Sequence, residues 1–125
     1  MKHVEGSFTA FDGLSIYRQS WLPEGEPKAT ILLFHGLGEH SNRYVHVAAA
    51  LAHAGYAVLA LDHRGHGRSE GKRAFVKSYD EFMRDLAQFR ELGEAEHPDR
   101  PLVVLGHSMG GHLALSHVLD HQPGV

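Results

Sequence analysis

The sequence contains no cysteine, which excludes disulfides, thiolate metal sites and a cysteine nucleophile while leaving the compartment open. Nowhere do about eighteen apolar residues run together, as a membrane-spanning helix would need. The opening Met1-Lys2-His3-Val4-Glu5-Gly6-Ser7 lacks the apolar centre of a signal peptide, so a soluble, cytoplasmic protein is expected. No block of one charge stands out either. With 12 Lys and Arg against 15 Asp and Glu the formal charge is −3, too mildly acidic for a dedicated nucleic-acid binder. What is there is a 125-residue chain, 42% hydrophobic and 22% charged, the size and make-up of one small domain without a separate cofactor module. Such a domain buries roughly two-thirds of its unfolded surface. Two residue types are in excess, with 14 glycines and 12 histidines.

Residues Glu5 to Phe11 and Leu14 to Leu22 alternate loosely around Asp12-Gly13, a strong hairpin signal. After Pro23-Glu24-Gly25-Glu26-Pro27 comes Ala29 to His35, a continuous apolar run of strand length. Tyr44, Val47, Ala48, Leu51 and Ala52 recur at helical spacing, and Gly55 stands where a helix end wants a left-handed residue. Tyr56 to Asp62 reads as a second buried strand. Beyond the glycine-rich stretch from Asp62 to Gly71, Ser78 and Glu81 have the spacing of a capping box. They open a helix whose apolar face is Tyr79, Phe82, Met83, Leu86 and Phe89. His97-Pro98-Asp99-Arg100-Pro101 ends that helix, Leu102 to Leu105 makes a third buried strand, and a last helix runs from about Met109 to His121. Apolar strands alternating with helices predict a mostly parallel α/β sheet with helices on both faces, preceded by the antiparallel hairpin.

Gly106-His107-Ser108-Met109-Gly110-Gly111 lies between a predicted strand and a predicted helix, the context that gives Gly-x-Ser-x-Gly its meaning. The glycines let backbone approach without a Cβ clash, and the Ser108 hydroxyl stands at a helix amino terminus, which favours developing negative charge. His35-Gly36-Leu37-Gly38 follows the first buried strand, at the carboxyl ends where ligands gather in open α/β sheets. A glycine loop there can aim the Leu37 N–H at the same oxygen as the Met109 N–H, making an oxyanion hole.

Phe34-His35-Gly36-Leu37-Gly38-Glu39-His40-Ser41, Asp62-His63-Arg64-Gly65-His66-Gly67-Arg68-Ser69 and Gly106 to Gly111 together resemble the α/β-hydrolase superfamily, in its monoacylglycerol lipase and lysophospholipase-like branch. The resemblance runs from about Gly6 to the last helix. It implies that Ser108 is the nucleophile, that Leu37 and Met109 supply oxyanion N–H groups, and that carboxylic esters are hydrolysed through an acyl-enzyme without a cofactor. It also implies that the loop from Asp62 to Ser69 is a structural turn. In that family the acid and histidine follow on loops after later strands, so the chain, ending at Val125, reads as a single truncated α/β-hydrolase domain over 1–125. Asp120 and His121 have the right order but sit roughly 20 Å along a helix from Ser108. His107 and His112 are nearer, with no evident carboxylate to orient either.

Two consequences follow from truncation. The Leu102 to Leu105 strand would be left as an apolar edge, and such edges pair; a homodimer or higher assembly through it, or by exchange of segments, is expected. Activity could also come from a metal. His35, His40, Asp62, His63, His66 and His107 belong to loops at one rim of the sheet, and such residues could hold zinc or another divalent ion and activate water. His117 with His121, and His46 with His53, share helix faces and read as solvent-exposed. Three functions therefore stand. One is a serine ester hydrolase of small or lipid-like esters, and another a metal-dependent hydrolase of carboxylic or phosphoric esters, including phosphotriesters. The third is a non-catalytic assembly module.

Overall fold

The computed structural model describes residues 1–75 and 78–120. Gly13, at φ +91°, closes the first turn as the Asp-Gly pair predicts. The Ala10 N–H donates to the Leu14 carbonyl at 2.8 Å and the Gly13 N–H to the Ala10 carbonyl at 2.9 Å. On either side β1 (Lys2–Thr9) and β2 (Ser15–Leu22) pair antiparallel in a register from Lys2 opposite Leu22 to Thr9 opposite Ser15. Three further strands follow, β3 (Thr30–Phe34), β4 (Ala57–Leu61) and β5 (Leu102–Gly106). The sheet order is β1-β2-β4-β3-β5, with β2 antiparallel to β4 and β3 parallel to both of its neighbours.

Every residue of β3 and β4 is buried, because helices cover both faces and a period of two sends alternate side chains each way. Leu32, Phe34, Ala57, Leu59 and Leu61 meet α2 (Tyr79–Glu96) and α3 (Met109–Asp120) through Phe82, Leu86, Phe89 and Leu113. On the other face Leu33, Val58, Ala60 and Trp21 meet α1 (Val45–His53) through Ala48 and Ala52. A short 3₁₀ turn, Ser41–Tyr44, precedes α1. Gly55, at φ +104°, ends it as expected: its N–H bonds the Ala52 carbonyl at 3.0 Å and the Tyr56 N–H reaches the Leu51 carbonyl at 3.1 Å, the bond pair of a Schellman cap. Among the described residues no helix is long and apolar enough to cross a membrane.

Several local expectations are corrected. The strand from Leu102 is not a third buried strand. It lies at the sheet edge with alternate residues open, Val103 being 50% exposed and Leu105 41%. No side-chain hydrogen bond from Ser78 caps α2, and the Glu81 carboxylate of the expected capping box accepts from Arg64 at 3.2 Å instead. Tyr79 and Val47, read as core-facing, are exposed. His117, read as exposed, is fully buried with its ring 6.4 Å edge-on to Phe34; His46 and His53 are exposed as expected. His121 lies outside the described residues.

The loop after β4 is anchored by a buried cation. Arg64 donates to Asp85 of α2 through Nε and Nη2 at 2.7 and 2.8 Å, and to Asp12 of the hairpin turn at 2.7 and 3.2 Å. The carboxylates hold the guanidinium above its already high pKa, the hydrogen bonding to Asp85 contributing most. Three distant segments are thus tied by paired, bidentate hydrogen bonds. Removing one partner strands a buried charge, so Arg64→Ala is expected to lower unfolding stability by about 3 to 5 kcal/mol, whereas Arg64→Met with Asp85→Leu recovers most of it. Urea unfolding of the two variants checks this; an Arg64→Ala chain as stable as wild type would show that the knot carries no weight.

Candidate active site

The carboxyl ends of β3, β4 and β5 lie side by side, and there β5 turns directly into α3. Ser108 has φ +55°, a left-handed conformation that is strained for a residue with a Cβ. Two glycines permit it. A Cβ on Gly106 would overlap the Gly110 carbonyl, and one on Gly110 would overlap the Phe34 carbonyl and lie 2.5 Å from that of His35. The first turn of α3 therefore rests directly on the end of β3, where the His107 N–H bonds the Phe34 carbonyl at 3.2 Å, and the turn itself is closed by bonds from the Gly110 N–H to the His107 carbonyl at 2.9 Å and from the His112 N–H to the Ser108 carbonyl at 3.1 Å. Ser108 is exposed at the helix start, and no described residue hydrogen-bonds its hydroxyl.

Gly36 presses against this turn: a Cβ there would lie 3.4 Å from the Ser108 Cβ and 3.3 Å from the His107 carbonyl oxygen. Its own carbonyl accepts from the buried His35 Nδ1 at 2.7 Å and from the Glu39 N–H at 3.3 Å. His35 Nε2 accepts the His63 N–H at 2.9 Å, which fixes the tautomer with the proton on Nδ1. A trans peptide sets its carbonyl and N–H in opposite directions, and no cis bond is present among the described residues. The Leu37 N–H consequently points away from His35. Neither Leu37 nor Met109 donates its N–H to another described residue.

Neither of the nearer histidines reaches the serine. His107 Nδ1 turns toward Glu39 Oε2 at 3.4 Å, and the His112 ring lies against that of Tyr79 with centroids 5.8 Å apart. The Asp120 side chain and His121 fall outside what the structure describes. Glu39 itself was missed in the sequence. It receives the Gly36 N–H at 2.7 Å and the Tyr44 hydroxyl at 2.8 Å, bonds that hold its carboxyl below the usual range, the Tyr44 bond most of all. Its one signal was a carboxylate placed immediately after the glycine loop.

With strand, elbow and loop in this arrangement, the comparisons with known proteins are specific. The family model described as serine aminopeptidase, S33 matches residues 25–125. The chain belongs to this α/β-hydrolase family. A monoacylglycerol lipase of Mycolicibacterium smegmatis is 42% identical over 113 residues, covering 90% of this chain and 40% of that protein. The human monoglyceride lipase is 43% identical over 104 residues, covering 83% of this chain and 34% of its own length. Among solved structures, a thermostable carboxyl esterase from Bacillus coagulans in complex with glycerol superposes with a TM-score of 0.89 at 31% identity, over 100% of this chain and 42% of that one. The chain thus spans about two-fifths or less of the lengths of these relatives.

Of the metal candidates, His35, His63 and His66 are brought together, their ring centroids 4.2 to 6.3 Å apart, but not as a set of ligands. No group of three or more histidines and carboxylates among the described residues could hold an ion. Asp62 is spent on the Ser41 N–H at 2.7 Å and the Arg68 N–H at 3.0 Å, which shape the following turn. His35 uses both nitrogens in backbone hydrogen bonds, His63 Nε2 donates to the His35 carbonyl at 3.0 Å, and His66 Nδ1 to that of Arg64 at 3.0 Å. His63 Nδ1 and His66 Nε2 are buried without a partner. His107 is exposed and engaged by Glu39, while His40 lies half-buried at the start of the 3₁₀ turn.

Burial pushes His35 down from 6.5 to about 4, and His63 is lowered the same way. Between those values the unfolded chain binds a proton at His35 that the folded chain refuses, so stability falls as pH drops from about 6.5 toward 4. A loss of about 2 kcal/mol from His35 is expected between about pH 7.5 and about pH 5, with a further loss of the same sign from His63. The urea midpoint across that range measures it; a flat profile would mean that both rings titrate normally.

Proposed function

We propose that Ser108 is the nucleophile of an ester hydrolase and that the N–H groups of Leu37 and Met109 form its oxyanion hole. The observation that carries this reading is the exposed serine held at φ +55° on the β5–α3 elbow, packed against Gly36 of the glycine loop. Strained backbone maintained by close packing is characteristic of functional positions. The Leu37 N–H, turned outward by the His35 bond to the Gly36 carbonyl, and the Met109 N–H at the amino end of α3 are the available donors. As Oγ attacks the ester carbonyl carbon, charge builds on the carbonyl oxygen, and donors already in place stabilise it. Collapse of the tetrahedral adduct expels the alcohol and leaves an acyl group on Ser108, which water removes. The general base comes from outside the described residues. Lipid-like monoacyl esters are the substrate class favoured by the lipases that this chain is similar to.

An oxyanion hole and substrate binding can retain about 10³ to 10⁴ of acceleration when other members of a triad are missing. Hydrolysis of p-nitrophenyl butyrate and of a monoacylglycerol is therefore expected above that residual level, to fall to it in Ser108→Ala and to ignore a chelator. Undiminished turnover by Ser108→Ala would remove the serine from the mechanism, and loss on chelation alone would move the chemistry to a metal.

We also propose that the open β5 edge pairs with a second copy of this chain. Val103 and Leu105 of β5 are exposed, as are Leu115, Val118 and Leu119 of α3, and Leu115 and Val118 line a shallow hollow together with Val104 and Leu105. Unpaired strand edges carrying apolar side chains invite pairing, and a two-fold axis lets one such edge serve both partners. Light scattering should report a dimer, and Val103→Lys should split it; a monodisperse monomer of the unaltered chain would refute the pairing.

A further inference from the structure

We propose that Glu39 is a positioning residue, whose carboxylate fastens the glycine loop to the serine elbow and so sets where the Leu37 N–H sits. This inference rests on the serine reading above and adds to it a residue that does no chemistry itself.

One oxygen of Glu39 gathers three elements. Oε2 accepts the Gly36 N–H at 2.7 Å from the loop, the Tyr44 hydroxyl at 2.8 Å from the turn before α1, and faces His107 Nδ1 at 3.4 Å from the elbow. Tyr44 and His107 also approach one another, their ring centroids 6.2 Å apart. Oε1 lies 3.8 Å from Arg43 Nε at the surface. Gly36 is consequently held at both ends. Its N–H is fixed by Glu39, and its carbonyl by His35 and by the Glu39 N–H. The peptide joining Gly36 to Leu37 is one rigid plane, so fixing Gly36 fixes the direction of the Leu37 donor. A charged acceptor is suited to this because hydrogen bonds to carboxylates are shorter and stronger than those to neutral groups. The crowding has a steric signature as well: a Cβ on Gly36 would lie 2.7 Å from Glu39 Oε2, so a larger residue there would push the carboxylate off its present position.

Without the carboxylate, Gly36 keeps its carbonyl bonds but loses the anchor on its N–H, and the Leu37 donor loosens by a fraction of an ångström. A misplacement of about 1 Å costs roughly 100-fold in rate. The expected result for Glu39→Ala is therefore a fall in kcat of about 10- to 100-fold with KM nearly unchanged, since the donor acts on charge formed in the transition state. Glu39→Gln keeps an oxygen acceptor and should recover much of the loss. The second readout needs no catalysis. In an amide NMR spectrum the Gly36 N–H should shift upfield and exchange faster in Glu39→Ala, with Glu39→Gln between it and wild type. An active wild type with kcat preserved in Glu39→Ala overturns the positioning role and leaves the serine reading intact. A wild type without esterase activity defeats the serine reading, and the Gly36 amide then decides the clamp alone: shift and exchange unchanged in Glu39→Ala would overturn it.

Discussion

The site depends on a place where two stretches of backbone touch with no side chain between them. Gly110 at the start of α3 sits on the carbonyls of Phe34 and His35 at the end of β3, and Gly106 faces the Gly110 carbonyl. Interiors are packed to crystal density, so a single added Cβ at either position would have to displace main chain, not a mobile side chain. That contact bends the chain sharply enough to hold Ser108 in a left-handed conformation and brings β5 and its loop against the loop that follows β3. Leu37, Met109, His107 and Glu39 all take their positions from it.

Around this contact the fold spends polar groups on shape. Asp62 organises the turn after β4 through two backbone N–H groups, and Arg64 ties that turn to the hairpin and to α2. His35 and His63 bond each other's backbone, their rings 4.2 Å apart, and burial keeps both neutral. Residues that would pass for a metal cluster in a list of side chains are, in space, a scaffold. Both nitrogens of His35, one each of His63 and His66, and both oxygens of Asp62 bond main-chain groups that loops in a buried rim must satisfy.

The hairpin, the strands from Thr30 and Ala57, the cap at Gly55 and the elbow at Ser108 were legible because each is written within a few residues. Apolar runs, an Asp-Gly pair and the Gly-x-Ser-x-Gly spacing respond to local sterics. The capping box at Ser78 and Glu81 had equally good local credentials and did not form as read, since Arg64, 17 residues away, takes the Glu81 carboxylate. Asp85 falls on the apolar stripe of α2 between Phe82 and Phe89, and a carboxylate placed there announces a buried cation. His117 was misjudged for a related reason, because α3 turns that side of the helix onto Phe34.

By itself the sequence determined the alternation of strands and helices and the serine at the elbow, since those follow from periodicity and from glycines whose spacing has one steric use, while the family came from the resemblance of three motifs. Only the tertiary structure decided which polar groups meet. Glu39 and His107 are 68 residues apart, and Arg64 and Asp12 are 52 apart; no local pattern encodes such pairs. It also decided that β4 lies between β2 and β3, because strand order is set by how the crossovers pack and not by the composition of any one strand.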